Sequence, residues 1–277
     1  MKRKSIKLLC SALLVSMVGA SLFGCGASTE EGGSTTISVS GSTSVGPLMG
    51  KLAEKYEESN SNVSIEINQV GSSAGIKDVI NGVSELGMSS RELKDDEKTE
   101  VKETVIAYDG IAIITNVNNP IKNITLEQIK DIYTGKITNW KDIDSTKDAP
   151  IVVVSREEGS GTRDAFQEII GYSSEELLGE AMISNANGAV QETVAGNENA
   201  IGFVSFEYLN DKINAVNVEG VTPEADNVKS GEYKISRPFL LVTKEGNLSE
   251  EGQNIIDYIL SEEGQNIVKE SKLITVE

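Results

Sequence analysis

The chain has 277 residues, 25 of them basic and 43 acidic, for a net charge of −18, and it contains no histidine. A surface this acidic repels nucleic acid and gives no general attraction to small anions, so any anion it holds must be held by local, desolvated donors. The lack of histidine excludes imidazole-based acid/base catalysis and the usual zinc and copper ligand sets.

In chain order, residues 1–24 read as a secretory leader. Lys2, Arg3, Lys4 and Lys7 precede a short apolar stretch, Leu8 to Val18, that is too short to span a bilayer. The segment closes on Leu22-Phe23-Gly24-Cys25, which resembles a bacterial lipobox and predicts a lipid on Cys25. Residues 25–36 are rich in glycine and serine and read as a flexible tether. Loss of the four basic residues of the leader leaves 21 basic against 43 acidic residues, a net −22. The two cysteines are Cys10 and Cys25, so no disulfide is expected in the folded part and packing must supply its stability. The remaining length suffices for two lobes.

From residue 37 onward strands and helices alternate. Ile37 to Ser40 reads as a strand, and Leu48, Leu52 and Tyr56 fall at helical spacing behind Pro47. Val63, Ile65 and Ile67 alternate as a strand, and Ile76, Val79 and Ile80 mark a helix. Glu85 to Ser89, Thr104 to Ala107 and Ile111 to Thr115 are strand-like. Thr125 to Tyr133 reads as a helix stopped by Gly135. Strands are predicted at 151–154, 200–204 and 235–243, with a helix around Ala189 to Val194. Two further helices each open with Ser-Glu-Glu-Gly-Gln-Asn-Ile, from Ser249 and Ser261, where serine caps and acids suit the first turn. The alternation predicts α/β lobes with mostly parallel sheets flanked by helices.

Three strand-to-helix turns carry hydroxyl groups: Gly41 to Pro47, Gly71 to Gly75, and Arg156 with Ser160-Gly161-Thr162. A helix start presents free backbone N–H groups, and an arginine adds planar paired donors, so each turn is suited to an oxyanion. One capping residue per helix would explain a single such turn; three together point to a ligand. Ser160 has no histidine to activate it, and the turns lack the Lys-Ser/Thr ending of a nucleotide loop, so no catalytic residue is assigned. Asp95-Asp96-Glu97 and Glu175-Glu176 lack calcium-loop spacing and read as solvated helix starts, and Trp140 as a local packing residue. No metal ligand and no cofactor are expected.

Gly-Ser-Thr-Ser (41–44), Gly-Ser-Ser-Ala-Gly (71–75), Gly-Met-Ser-Ser-Arg (87–91), Ile-Tyr-Thr-Gly-Lys-Ile-Thr-Asn-Trp (132–140), Arg-Glu-Glu-Gly-Ser-Gly-Thr (156–162) and Ala-Ile-Gly-Phe-Val (200–204) occur in this order. As a set they resemble the PstS phosphate-binding lipoproteins of ABC-type phosphate importers, over nearly all of residues 37–277. The resemblance implies a two-lobed, type II-like periplasmic-binding-protein fold, with lobe 1 formed by 37–113 plus 236–277 and lobe 2 by 114–235, joined by two crossing segments. It implies phosphate held by Thr43, Ser44, Ser72, Ser90, Arg156, Ser160, Gly161 and Thr162, with Arg91 and Asp109 as secondary candidates. Many members carry an aspartate where this chain has Ser90, and a carboxylate there can accept a hydrogen bond from protonated phosphate and repel sulfate. Asp109 is either a substitute acceptor or a turn residue in Asp-Gly, and Arg91 either adds charge or pairs with an acid. The implied protein is an extracytoplasmic, lipid-anchored monomer that is not an enzyme and delivers phosphate to permease subunits. A receptor for sulfate, molybdate or another oxyanion, or a secreted phosphatase, stands as the alternative.

Overall fold

The computed structural model describes residues 34–276; Cys25 and the leader lie outside them. In chain order the elements are β1 (Thr35–Gly41), α1 (Gly46–Ser59), β2 (Val63–Gln69), α2 (Ser72–Ile80), β3 (Leu86–Ser89), α3 (Asp95–Lys98), β4 (Lys102–Asn116), β5 (Asn123–Ile124) and α4 (Leu126–Tyr133). There follow β6 (Val152–Arg156), α5 (Gly161–Ile170), β7 (Met182–Ser184), α6 (Asn187–Ala195), β8 (Ala200–Ser205), β9 (Ile213–Val218), α7 (Ala225–Lys229), β10 (Ser236–Thr243), α8 (Glu250–Leu260) and α9 (Glu262–Glu270).

Strand order along the sheet is β2-β1-β3-β10-β4-β8-β6-β7. At one end β1 lies parallel between β2 and β3; at the other, β6 lies parallel between β7 and β8. Between them β4 and β10 run antiparallel to each other and to their outer neighbours β8 and β3. Each lobe thus has a parallel centre, as helix-covered strands require, and the antiparallel pairs mark where the chain crosses over.

The hydrophobic residues sort into separate cores. One collects Ile111 to Ile114 with Trp140, Phe166, Phe203 and residues up to Ile235. Another collects Ile37, Leu48, Leu86, Ile106 and Ala107 with Phe239, Leu241 and Ile259. Core membership therefore changes within Tyr108-Asp109-Gly110 on β4 and between Ile235 and Phe239 on the return. The two stretches expected at 104–107 and 111–115 are one 15-residue strand. Asp109-Gly110 looks like a turn signal in sequence, yet the backbone runs straight through it. Gly110 is needed there for another reason: a Cβ would collide with the ring of Phe206. Trp140 is fully buried and its indole N–H donates to the Asn199 carbonyl (3.0 Å), as local packing requires.

Candidate functional site

The three hydroxyl turns meet where the lobes face each other. Thr43 and Ser44 precede α1, Ser72 is the first residue of α2, and Ser90 follows β3; all four are buried. From the other lobe come Arg156 at the end of β6, Ser160 as N-cap of α5, and Gly161 and Thr162 in its first turn. The N-termini of α1, α2 and α5 thereby come to one place, and the positive ends of their dipoles with them.

Contacts across the cleft are direct. Ser44 Oγ lies 2.7 Å from Thr162 Oγ1, and Arg156 Nη2 donates to Thr43 Oγ1 at 3.0 Å. The Ser73 amide donates to the Gly159 carbonyl (3.2 Å) and the Tyr208 hydroxyl to the Thr43 carbonyl (3.0 Å). Gly161 presses so closely on Ser72 and Ser90 that a Cβ would collide with the Ser72 hydroxyl. The eight residues expected at the site are thus brought together.

Arg156 is 1% exposed. Its Nε and Nη2 donate to the two carboxylate oxygens of Glu157 at 2.8 and 2.7 Å. Its Nη1 is buried without a hydrogen-bond partner among the described residues. A buried N–H of a guanidinium left unpaired is costly, and the natural remedy is an anionic ligand.

The secondary candidates resolve differently. Arg91 takes the second of its two alternatives: Nη1 and Nη2 donate to Glu97 at 2.7 and 2.8 Å and Nη2 also to Ser73 Oγ at 3.1 Å. Its Nε lies 3.1 Å from Asp164 Oδ2, an ion pair without the alignment of a hydrogen bond. Burial raises the Glu97 carboxyl, but hydrogen bonds from Arg91 and the Lys94 amide outweigh it and hold the group below its usual value. Asp109 is neither a turn residue nor a free acceptor. It lies within β4, wholly buried, and its Oδ2 accepts from Arg237 Nη2 and Nε at 2.9 and 3.1 Å. Its Oδ1 accepts from the Ser205 hydroxyl (2.9 Å) and the Phe206 amide (3.2 Å). Burial pushes its pKa up, and the Arg237 guanidinium, the Ser205 hydroxyl and the Phe206 amide act in the opposite direction.

Two residues of the site escaped the sequence reading. Arg237, 3% exposed, donates from Nη2 to Ser44 Oγ (3.1 Å) and from Nη1 to the Ser90 carbonyl (3.1 Å). Asn187, fully buried at the start of α6, donates to Ser44 Oγ at 2.9 Å. A charged residue inside the apolar run 235–243 is the one signal that could have found Arg237.

Two lobes sharing two crossing strands, with helix N-termini aimed into the cleft between them, define a solute-binding protein of the periplasmic-binding-protein class. A family model described as a PBP superfamily domain matches residues 26–263. The phosphate-binding protein PstS of Bacillus subtilis (strain 168) is 33% identical over 234 residues, covering 83% of this chain and 77% of the relative. A crystal structure from Clostridium perfringens, described as a phosphate ABC transporter substrate-binding protein with bound phosphate, shares 59% identity at a TM-score of 0.86, over 88% of this chain and 100% of that one. An ABC-type phosphate transport receptor from Vibrio cholerae shares 35% identity at a TM-score of 0.74, over 86% of this chain and 99% of that one. The chain belongs to the PstS family of phosphate-binding proteins.

Proposed function

We propose that this protein captures inorganic phosphate between its lobes and presents it to an ABC-type importer. The observation that carries this reading is the buried, unpartnered Nη1 of Arg156, set among the hydroxyls and helix N-termini of both lobes. Thr43, Ser44, Ser72 and Ser90 would hold the ion from one side, and Arg156, Ser160, Gly161 and Thr162 from the other. Because the donors are divided between lobes, the ligand favours the closed arrangement by its greater affinity for it. We place the bending points of the two crossings at Tyr108–Gly110 and between Ile235 and Phe239, where the cores change hands, overlapping the crossings read from sequence near Asp109 to Ile114 and near Ser236 to Leu240.

In this reading the protein is a monomeric receptor and not an enzyme, tethered outside the cell by a lipid on Cys25. The leader and the Leu-x-Gly-Cys motif support the anchor. Calorimetric titration of phosphate should give a submicromolar dissociation constant, about −8 to −12 kcal/mol. Affinity should change little between low and moderate salt, because screening does not reach a buried ion. Absence of any binding heat would refute the proposal. A chromogenic phosphate ester, assayed with and without divalent metals, should remain uncleaved; turnover would favour the phosphatase alternative.

A further inference from the structure

A closed ring of hydrogen bonds joins the hinge to the site. Ser205, at the end of β8, donates from its hydroxyl to Asp109 Oδ1 (2.9 Å) on the crossing strand β4. Asp109 Oδ2 accepts from Nε and Nη2 of Arg237 (3.1 and 2.9 Å), the residue that faces it in register on the crossing strand β10. Arg237 Nη2 also donates to Ser44 Oγ (3.1 Å), in the turn before α1. Asn187, the first residue of α6, donates to the same oxygen from Nδ2 (2.9 Å). Its Oδ1 accepts from the Ser205 amide (3.2 Å), which closes the ring. Ser205, Asp109, Ser44 and Asn187 are wholly buried, and Arg237 is 3% exposed.

The members come from every part of the molecule. Ser205 and Asn187 belong to lobe 2, Asp109 and Arg237 to the two crossings, and Ser44 to lobe 1. The bond from Asn187 to Ser44 spans the cleft, so the ring is complete only when the lobes are together. Arg237 has a second hold on lobe 1, because its Nη1 donates to the Ser90 carbonyl (3.1 Å). Its guanidinium sits over the Phe239 ring, 5.5 Å from the centroid, which holds the plane of the fork. One rigid group thereby fixes two lobe-1 turns, that of Thr43 and Ser44 and that of Ser90, against the hinge. Its role differs from that of Arg156. Arg156 keeps a buried Nη1 without a partner, whereas each nitrogen of Arg237 already donates to the protein.

We infer that Arg237 is a positioning residue for phosphate binding: it ties the two lobe-1 turns to both crossings, so that the closed hinge angle and the complete ligand set form together. This inference rests on the phosphate reading of the site and adds the residue that couples the hinge to it.

The test is calorimetric titration of the full chain with inorganic phosphate, beside urea unfolding without phosphate. Arg237→Lys keeps a cation next to Asp109 but has no planar fork to reach Ser44 and Ser90 as well. Its unfolding midpoint should lie nearer the parent's than that of Arg237→Met. Its phosphate dissociation constant should nonetheless rise at least about tenfold, the scale of a lost buried hydrogen bond. An effect that acts through Ser44 must shrink where Ser44 has no hydroxyl. In a Ser44→Ala background the same change should therefore raise the constant by a factor at least about threefold smaller. Asn187→Ala opens the ring from lobe 2 without touching the ion pair, and should weaken phosphate binding at least about threefold. A smaller rise than expected in a folded R237K, or an equal loss with and without the Ser44 hydroxyl, overturns the inference. Where R237K is unfolded, or as unstable as Arg237→Met, Asn187→Ala decides, and an unchanged constant there overturns it. A parent chain that binds no phosphate overturns the phosphate reading itself, and this inference with it.

Discussion

At the scale of single residues, Arg156 combines near-complete burial with one unpaired N–H, and the ligand is asked to satisfy it. Arg156→Ala should weaken phosphate binding by at least about 2 kcal/mol, the scale of a lost buried charge-assisted bond; calorimetry reading an unchanged constant would remove it from the site. Gly161→Ala is a sharper probe of closure, because the added methyl would strike Ser72 from the opposite lobe. Overpacking of this kind costs about 1–3 kcal/mol, so phosphate affinity should drop about tenfold or more while the ligand-free protein keeps its far-ultraviolet spectrum. The anion turns were legible because glycine, serine and arginine recur between an apolar strand and a helix start. Arg237 and Asn187 were not: they belong to no hydroxyl turn, and only the folded chain brings them onto Ser44.

At the scale of elements, β4 and β10 do more than connect. They pair along eight register positions, and the buried Asp109–Arg237 ion pair sits on them where the cores change. Removing one member of such a pair strands the other charge, so Arg237→Met should cost about 3–5 kcal/mol in urea denaturation. Replacing both Asp109 and Arg237 with apolar residues should cost less than the single change. The strap made by Arg91 has a pH signature. Glu97 titrates below its usual range, so its contribution is present at neutral pH and is lost as pH falls through the folded value. Glu97→Gln should therefore destabilise by about 1 kcal/mol at neutral pH, and the gap to the parent should close in acid. Alternating apolar residues and capping serines made most helices and strands readable. The continuity of β4 was hidden by Asp109-Gly110, whose turn chemistry is overridden by pairing on both sides. Strand β7 was hidden because Met182 and Ile183 are exposed at a sheet edge and follow no core periodicity.

At the scale of the molecule, polar straps clasp both rims of the cleft. Arg91 reaches Asp164 on one rim; on the other, Lys51 pairs with Glu207 at 2.7 Å and Lys272 donates to the Leu209 carbonyl at 2.9 Å. These bonds are partly exposed and each is worth little, so the ligand, not the straps, must decide closure. Asp164→Asn should accordingly shift phosphate affinity by no more than about 1 kcal/mol. Phosphate at a thousandfold excess over its dissociation constant should raise unfolding stability by about 4 kcal/mol in urea titrations. The alternation of elements pointed to α/β lobes and the family resemblance to two of them, with crossings near Asp109 to Ile114 and Ser236 to Leu240; the antiparallel pairing of β4 with β10 is long-range, and no local pattern reports it. The central claim is that both lobes grip one ion, and a crystal structure of the protein grown with phosphate tests it most directly. One tetrahedral ion should lie within hydrogen-bonding distance of Thr43, Ser72 and Ser90 from one lobe and of Arg156, Gly161 and Thr162 from the other. Phosphate held by a single lobe, or bound away from Arg156, would contradict the account.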